Sequence, residues 1–255
     1  MRKPIILVTN DDGIYAPGIS NLIDFVSDLG DVYVVAPDKP QSGMGHAVTI
    51  NDTLHCEEVS IHKNVVKQWS CSGTPVDCVK IAIDKLLPHK PDICVSGINH
   101  GSNSSINVIY SGTMSAAVEA GIEEIPAIGF SLCDFSYEAD FSPAKKHIRE
   151  IVKNVLKKGL PKGVVLNVNI PKATENGLQG IKICRQADAR WIENFDKRQD
   201  PRGKTYYWLT GEFKNFDKGT DTDEWALENN YISIVPTQFD LTAHYFIKEL
   251  SQWEL

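Results

Sequence analysis

The chain has 255 residues, of which 42% are hydrophobic and 23% are charged, and its formal net charge is -7. This length and composition are typical of one large globular domain, or of a domain with an appended subdomain, that buries a sizeable core. The negative charge gives no long-range attraction toward nucleic acid or an anionic membrane, so we expect no binding to a nucleic-acid duplex. No uninterrupted apolar stretch approaches the length of a membrane span.

The N-terminal apolar run follows Arg2 and Lys3 and ends after four residues, which is shorter than the core of a signal peptide. Six cysteines occur without a Cys-x-x-Cys pair. We therefore expect a cytoplasmic protein that binds no membrane and keeps its cysteines reduced. Cys94, inside an apolar run, is expected to pack as a small hydrophobic residue.

Strand-like and helix-like segments alternate in the first half of the chain. Short apolar runs predict strands at 5–9, 32–36, 92–96 and 126–130, and the remaining periodicity predicts helices at 17–29, 75–87 and 113–121. This alternation indicates an α/β fold whose mostly parallel sheet is sandwiched by helices. Residues 46–50 and 65–69 interrupt the alternation and predict an inserted or edge hairpin.

A helix at 142–158 and a strand at 164–169 complete this part, and from about residue 180 the pattern changes. Strands are predicted at 181–185, 190–195 and 205–209, with a turn at 200–203 between the last two, followed by a strand at 231–235 and a helix at 242–253. The simplest interpretation is a long β-hairpin arm that projects from the main body. An isolated two-stranded ribbon is marginal in water, so we expect the arm to contact a partner surface.

Two adjacent carboxylates, Asp11 and Asp12, stand at the end of the first predicted strand. Ligands bind at the carboxyl edge of open parallel sheets, and neighbouring carboxylates are best tolerated where a cation or tight hydrogen bonds compensate their repulsion. The sequence Asn-Asp-Asp-Gly is also an ordinary polar turn. At this point a cation site and a plain turn both remain open.

Three further loops are expected at the same edge, and each combines glycine with oxygen-bearing side chains. They contain Ser42 and Gly43, Asn99 and Asn103, and the helix start Ser111-Gly112-Thr113. Taken singly, Ser42 and Thr113 are ordinary helix caps and the asparagines ordinary turn residues. Taken together with the two aspartates, they favour a hard divalent cation, and the helix start favours a phosphate group that meets free N–H groups and the positive dipole end.

These segments together resemble one known family. The sequences Asn10-Asp11-Asp12-Gly13, Ser96-Gly97-Ile98-Asn99-His100-Gly101 and Tyr110-Ser111-Gly112-Thr113, with Asp221-Thr222-Asp223 near the C-terminus, are similar to those of the SurE family of survival-protein nucleotidases. The resemblance covers nearly the whole chain. It implies a metal-dependent 5′/3′-nucleotidase that releases phosphate from nucleoside monophosphates. It also implies a Rossmann-like core and a homodimer or homotetramer that exchanges its hairpin and C-terminal segments.

The resemblance also implies roles for individual residues. The metal ligands are Asp11, Asp12, Ser42 and Asn99, which hold one divalent ion, magnesium or manganese, per subunit. The substrate and phosphate site comprises Asn10, Gly43, Asn103, Ser111, Gly112 and Thr113, and the residues expected to act in catalysis are Asp11, Asp12, Asn99 and Ser111. Residues 1–178 are then expected to form the catalytic core. Residues 179–255 are expected to serve oligomerisation, and they include a returning strand near 231–235. The expected chemistry is in-line attack on phosphorus by a metal-activated water, with one aspartate as its possible base.

Other nucleotide-binding classes predict different motifs. A dinucleotide-dependent oxidoreductase predicts G-x-G-x-x-G after the first strand, a haloacid-dehalogenase-type phosphatase predicts D-x-D-x-[TV], and a P-loop hydrolase predicts G-x-x-x-x-G-K-[ST]; the chain has none of them in register. A non-catalytic nucleotide- or metal-binding module remains an alternative. Among the histidines, His100 beside Asn99 could orient the site or protonate a leaving group, and His244 near Asp240 suits a subunit interface.

Overall fold

A computed structural model describes residues 2–136, 138–175 and 177–254 of the chain. Eleven strands occur in the described part: β1 Ile5–Thr9, β2 Asp31–Pro37, β3 Cys56–Glu58, β4 Lys67–Cys71, β5 Ile93–His100, β6 Ala127–Cys133, β7 Val164–Pro171, β8 Ile181–Ile183, β9 Ala189–Gln199, β10 Thr205–Asn215 and β11 Ile232–Gln238. The α-helices are α1 Pro17–Val26, α2 Pro75–Ile81, α3 Gly112–Ile122, α4 Lys145–Lys158, α5 Asp223–Glu228 and α6 His244–Leu250.

Nine of these strands form one sheet in the order β3-β4-β2-β1-β5-β6-β7-β11-β8. The six strands from β4 to β7 are parallel, whereas β3 and β11 run antiparallel to their neighbours β4 and β7. The central strand β1 is buried along its whole length because helices cover both faces of the sheet. The predicted mostly parallel α/β sheet is thus confirmed.

Two apolar layers hold the helices against the sheet. Helices α1 and α4 pack on one face through residues such as Leu22 and Ile151. Helices α2 and α3 pack on the other face through Cys78, Val79 and Ala116, and Cys94 of β5 is fully buried in this layer, as expected of a small hydrophobic residue. The small residues of α3 allow the helix to lie close to β5 and β6, which brings its N-terminus to the carboxyl edge of the sheet.

The predicted hairpin of 46–50 with 65–69 is wrong in its first strand. Residues 47–50 form no strand, and the short edge strand that pairs with β4 is β3 instead. Side-chain contacts, rather than pairing with another strand, fix this loop. His46 Nε2 lies 2.8 Å from Glu119 Oε2 of α3, and Thr49 Oγ1 donates to Asp77 Oδ2 of α2 at 2.6 Å. An alternating apolar pattern does not reveal such long-range polar anchors.

Several predicted boundaries also differ from the observed ones. Helix α1 ends three residues earlier than predicted, the predicted helix 75–87 continues beyond α2 as a wider π-turn at Ala82–Leu86, and α6 is shorter than the predicted helix 242–253. Strand β5 is longer than predicted, because its pairing with β6 resumes at Asn99 after a register shift that follows Ser96. This irregularity places Asn99 in a strand rather than in a loop.

Strands β9 and β10 form the projecting arm, a separate antiparallel pair of 11 residues each. Its root is fixed to the body by Asp223, which is buried and accepts hydrogen bonds from the backbone N–H groups of Ser105 at 2.7 Å and Ala187 at 2.9 Å. After α5, strand β11 returns to the main sheet beside β7, close to the predicted position. None of the described helices is long and apolar enough to cross a membrane.

Candidate active site

The candidate site lies at the carboxyl edge of the sheet, where β1, β2 and β5 end beside the N-terminus of α3. A cleft of about 520 Å³ opens there, which is in the range of small-molecule pockets. The predicted site residues that line it are Asp11, Ser42, Gly43, Asn99, Asn103 and Ser111. A neighbouring cleft of about 470 Å³ is lined by Asp12, Ser42 and His100, among others. The structure therefore brings together loops that are far apart in sequence.

Asp11 is the most deeply placed carboxylate of the site, with 3% of its surface exposed. Its Oδ1 accepts a hydrogen bond from the hydroxyl of Thr113, in the first turn of α3. Gly112 lies against it so closely that an added Cβ would stand 2.7 Å from Asp11 Cβ. Burial and then the neighbouring charge of Asp12 raise the pKa of Asp11 to about 6, although the Thr113 hydrogen bond lowers it. Among the residues that the structure describes, no cationic side chain forms an ion pair with this carboxylate.

Asp12 is less buried than Asp11 and accepts a hydrogen bond from the backbone N–H of His100 at 3.3 Å, through Oδ2. Burial raises the pKa of Asp12, and the contact with His100 opposes the increase. The two carboxylates therefore differ in environment. Asp11 is held by a helix, whereas Asp12 is held by the end of β5.

Asn99 has its side-chain amide oriented by the backbone around it. Its Nδ2 donates to the carbonyl oxygen of Gly101 at 2.9 Å and to that of His100 at 3.2 Å. These two bonds use both N–H groups and leave the oxygen Oδ1 as the free end of the amide. The sequence alone could not reveal this orientation, which is the one that a cation ligand requires.

The loop that carries Ser42 is tied directly to the first aspartate. The backbone N–H of Gln41 donates to the carbonyl oxygen of Asp11 at 2.7 Å, and Gly45 N–H donates to the carbonyl oxygen of Tyr110 at 3.2 Å. Gly43 adopts a φ of 74°, a conformation that favours glycine. The loop is thus held between β1 and the start of α3, and no helix follows Ser42 that it could cap.

The donor set fits a hard divalent cation. Two carboxylates, the Asn99 carbonyl oxygen and the Ser42 hydroxyl are the oxygen ligands that magnesium, manganese and calcium prefer. No described residues form a cluster of three or more His, Cys, Asp or Glu side chains that could hold a metal. Zinc prefers nitrogen and sulfur ligands, so the oxygen donors of this site suit a hard cation better.

The start of α3 fits an anion. Ser111 is the N-cap residue, and its Oγ accepts a hydrogen bond from the N–H of Met114 at 3.0 Å. The cap is therefore Ser111 rather than Thr113, whose hydroxyl holds Asp11. The first N–H groups of α3 lack partners within the helix and carry the positive end of its dipole.

Asn103 and Asn10 are fixed by other parts of the fold. Asn103 lines the cleft, while its Nδ2 donates to Ser131 Oγ and its N–H to Asn169 Oδ1, both at 2.8 Å. Asn10 is buried, its Nδ2 donates to the carbonyl oxygen of Gly13 at 2.9 Å, and its Oδ1 has no partner among the residues the structure describes. Asn10 therefore shapes the turn that presents the aspartates.

Comparisons with known proteins identify the family. The family model described as "Survival protein SurE" matches residues 6–193. The chain belongs to the SurE family. It is 69% identical over 255 residues to the 5′-nucleotidase SurE of Christiangramia forsetii, covering 100% of this chain and 98% of that protein. It is 57% identical over 253 residues to the 5′-nucleotidase SurE of Cytophaga hutchinsonii, covering 99% of this chain and 97% of that protein.

A solved structure of a SurE protein has the same fold. The crystal structure of the SurE protein from Aquifex aeolicus superposes with a TM-score of 0.83 at 38% identity, covering 97% of this chain and 98% of that one. The family resemblance predicted from the ordered motifs is thereby confirmed, as is the α/β architecture.

The cleft of this SurE-family chain also contains residues that sequence reasoning did not assign to it. Trp191 and Phe213 reach it from the root of the arm, with their ring centroids 5.5 Å apart, and Glu224 reaches it from α5. Tyr110 also lines the cleft, and 52% of it is exposed. The local sequence does not reveal these aromatic residues as part of the site, because nothing local distinguishes a cleft wall from a core.

The histidines His46, His100 and His244 occupy different places in the structure. The ring of His100 lines both clefts and packs edge-on against Phe141, with centroids 5.2 Å apart. His46 contacts the buried Glu119 of α3. His244 Nε2 lies 2.7 Å from Asp240 Oδ2 at the start of the exposed C-terminal helix. Of the three, His100 is the one that lines the clefts containing the candidate metal ligands.

Proposed function

We propose that the chain is a metal-dependent phosphomonoesterase that hydrolyses nucleoside 5′-monophosphates, and also 3′-monophosphates, to a nucleoside and inorganic phosphate. The observation that carries this proposal is that Asp11, Asn99 and the N-cap residue Ser111 of α3 line one cleft, while Asp12 lines the adjoining cleft together with Ser42. Such a cleft combines a cation site with a phosphate site. The names of the relatives, 5′-nucleotidase SurE, support the same conclusion.

One divalent ion per subunit, magnesium or manganese, would be held by the four oxygen donors Asp11, Asp12, Ser42 and Asn99. When bound, such an ion supplies positive charge for a phosphoryl oxygen and lowers the pKa of a water molecule. The raised pKa values of both aspartates support this assignment, because a bound cation would compensate the charges that burial disfavours.

The protein's own groups would bind and orient the phosphate. Backbone N–H groups of Gly112 and Thr113, together with the hydroxyl of Ser111, would donate hydrogen bonds to phosphoryl oxygens, with Asn103 and Gly43 at the sides of the cleft. Asn10 contributes indirectly by holding the turn before the aspartates. This arrangement stabilises the negative charge that spreads over the equatorial oxygens during transfer.

We assign the general base to Asp12. Its Oδ2 accepts the N–H of His100, so Oδ1 remains to accept the proton of the attacking water. Asp11 suits this role less well, because it is more deeply buried than Asp12. Asn99 and Ser111 would then orient the reacting groups.

Hydrolysis is tested by measuring phosphate release from a panel of nucleoside 5′- and 3′-monophosphates, with and without manganese or magnesium. We expect turnover that requires the metal. Tight binding of AMP without metal-dependent turnover would instead identify a non-catalytic binding module. The names of the homologues do not favour that alternative.

We further propose that the arm and the C-terminal helix exchange between subunits of a cytoplasmic homodimer or homotetramer, with residues 1–178 as the catalytic core and 179–255 as the oligomerisation region. None of the residues of α6 is buried, and both Leu241 and Tyr245 are 90% exposed. Trp208 on the arm is 58% exposed. Exposed apolar surface of this extent is typical of a subunit interface.

Light scattering measures the oligomeric state directly. The wild-type chain should give the mass of a dimer or tetramer. The double substitution Leu241→Asp with Tyr245→Asp should lower that mass, because it places charges in the proposed interface. A monomeric mass for the wild-type protein would overturn the proposal.

A further inference from the structure

Beside the candidate phosphate site, Glu224 and two serines, Ser102 and Ser104, form a polar wall of the cleft. The hydroxyl of Ser104 donates to Glu224 Oε1 at 2.5 Å, and Ser102 Oγ lies 2.6 Å from Ser104 Oγ. Ser102, Ser104 and Glu224 all line the main cleft. Glu224 Oε2 makes no hydrogen bond with the part of the chain that the structure describes, so this oxygen is left as an acceptor.

The adjacent Asp223 shows what a purely structural carboxylate looks like in this fold. It is 1% exposed, and its two oxygens accept three backbone N–H groups, those of Ser105, Ala187 and Glu224. Glu224 differs because it lies at the surface of the cleft and has one oxygen to spare. Asp223 therefore holds the root of the arm through these backbone hydrogen bonds. Glu224 makes no comparable set of bonds with the described residues.

One segment of the chain contributes several different groups to the cleft. Asn99 is a candidate metal ligand, Asn103 lies at the phosphate site, Ser104 holds Glu224, and Asn107 accepts the indole N–H of Trp191 at 2.9 Å. The cleft therefore changes along this segment from a charged end, through a carboxylate, to an aromatic end. A nucleoside monophosphate has the same order of chemistry: phosphate, ribose hydroxyls and base.

We propose that Glu224 is a specificity-determining residue that accepts hydrogen bonds from the ribose hydroxyls of the nucleotide. The proposal rests on the nucleotidase function proposed above. Ser104 orients the carboxylate through Oε1, and Oε2 receives the sugar hydroxyl. A site built to pair with a substrate hydroxyl discriminates against an analogue that lacks it, because the partly buried acceptor is then left unpaired. The enzyme should thus prefer ribonucleotides to phosphate esters that lack these hydroxyls.

Burial supports this use of the carboxylate. Burial raises the pKa of the Glu224 carboxyl. The hydrogen bond from Ser104 opposes this increase, and the charge of Asp223 adds to it. A partly desolvated acceptor forms stronger hydrogen bonds than one in bulk water. The Ser104 contact and the position in the cleft are independent geometric reasons for the same role.

The substitution Glu224→Gln tests the proposal with little change in shape. Glutamine keeps one carbonyl oxygen for the Ser104 hydroxyl, but it places an NH₂ group where the second acceptor stood. The matched control is Glu228→Gln, an exposed residue of the same helix that does not line the cleft. Both variants are compared with the wild type on 5′-AMP, 2′-deoxy-AMP, 3′-deoxy-AMP and p-nitrophenyl phosphate.

We expect the wild type and Glu228→Gln to prefer 5′-AMP to at least one deoxy analogue by roughly 10- to 100-fold in kcat/KM. In Glu224→Gln this preference should fall to within about threefold, while hydrolysis of p-nitrophenyl phosphate stays near the wild-type rate. An unchanged preference would overturn the proposal. A parallel loss on all four substrates would also overturn it, since it would indicate a structural role.

Binding of the nucleoside product tests the ribose contact independently of the proposed hydrolysis. Calorimetry with adenosine, 2′-deoxyadenosine and 3′-deoxyadenosine measures recognition of the ribose hydroxyls without any reaction. If the wild type released no phosphate from AMP but Glu224→Gln lost the preference for adenosine, the catalytic proposal would fail and the ribose contact would stand. If AMP were hydrolysed and the variant kept that preference, only the ribose contact would fail.

Discussion

Gly112 lies directly against Asp11, and an added Cβ at this glycine would stand 2.7 Å from Asp11 Cβ and 3.0 Å from Oδ2. The first residue of α3 therefore has to be glycine for the helix to approach the end of β1. This close approach places the dipole end of α3 beside the candidate metal site. One contact thus joins the candidate phosphate site to the candidate metal site.

Gly112→Ala should displace Asp11 and reduce kcat/KM for 5′-AMP by about 100-fold, since a displacement of roughly 1 Å in a catalytic site has this effect. Steady-state kinetics with saturating manganese measures the loss. The control is Gly121→Ala at the other end of α3, where a Cβ would meet the Val165 side chain at 2.6 Å. That variant should lose stability but keep the activity of the folded protein. Near-wild-type activity of Gly112→Ala would contradict the assigned contact.

Thr113→Val should make activity more sensitive to acid. The hydroxyl of Thr113 lowers the pKa of Asp11, so its removal should raise that pKa further above its usual value. The acidic limb of the profile of kcat/KM against pH should move upward by about one unit, as expected for the loss of one hydrogen bond to a carboxylate. Thr113→Ser retains the hydroxyl and should keep the wild-type profile. Identical profiles for Val and Ser would show that the bond does not tune Asp11.

Asp11→Asn should abolish turnover and, without metal, stabilise the protein at neutral pH. The pKa of Asp11 is raised from 3.8 to about 6 in the folded protein, so the folded state binds more protons than the unfolded state between these values. Wild-type stability therefore decreases as pH rises through this window, by up to about 3 kcal/mol at neutral pH. Asparagine removes this decrease.

Urea denaturation at about pH 4 and about pH 7.5, with metal removed by a chelator, measures the free energy of unfolding of both proteins. The variant should gain stability relative to the wild type only at the higher pH. Asp24→Asn, a substitution of an exposed aspartate in α1, should leave the pH dependence unchanged. Manganese should stabilise the wild type much more than Asp11→Asn; equal stabilisation would contradict the ligand role of Asp11.

Trp191→Ala should weaken nucleotide binding without altering the chemical step. The indole is held by Asn107 at the aromatic end of the cleft, where it could stack on a base. Stacking contributes about 1–3 kcal/mol per base, so KM for 5′-AMP should rise roughly 5- to 150-fold while p-nitrophenyl phosphate hydrolysis is unaffected. Phe195→Ala, on the same strand but outside the cleft, separates effects of the arm from effects of the cleft. Equal changes in both variants would show that Trp191 affects binding only through the structure of the arm, and not by contact with the base.

Much of this fold could be predicted from local pattern. Strand β1 begins and ends where its apolar run predicts, and α1 begins at Pro17, because a buried parallel strand and a proline-initiated helix have strong local signals. The predicted extended segment at 46–50 failed because His46 and Thr49 are held by buried carboxylates of α3 and α2. Such contacts join residues tens of positions apart and leave no periodic trace.

The sequence by itself determined the α/β class, the family, and the set of oxygen donors that could gather at one sheet edge, because these depend on apolar periodicity and on the order of short motifs. Only the tertiary structure decided how each donor is used. It turns the Asn99 oxygen outward by engaging its Nδ2, commits the Thr113 hydroxyl to Asp11, and brings Glu224 to the cleft. Orientation and long-range proximity arise from packing and hydrogen bonding across the whole chain, and no local stretch of sequence contains them.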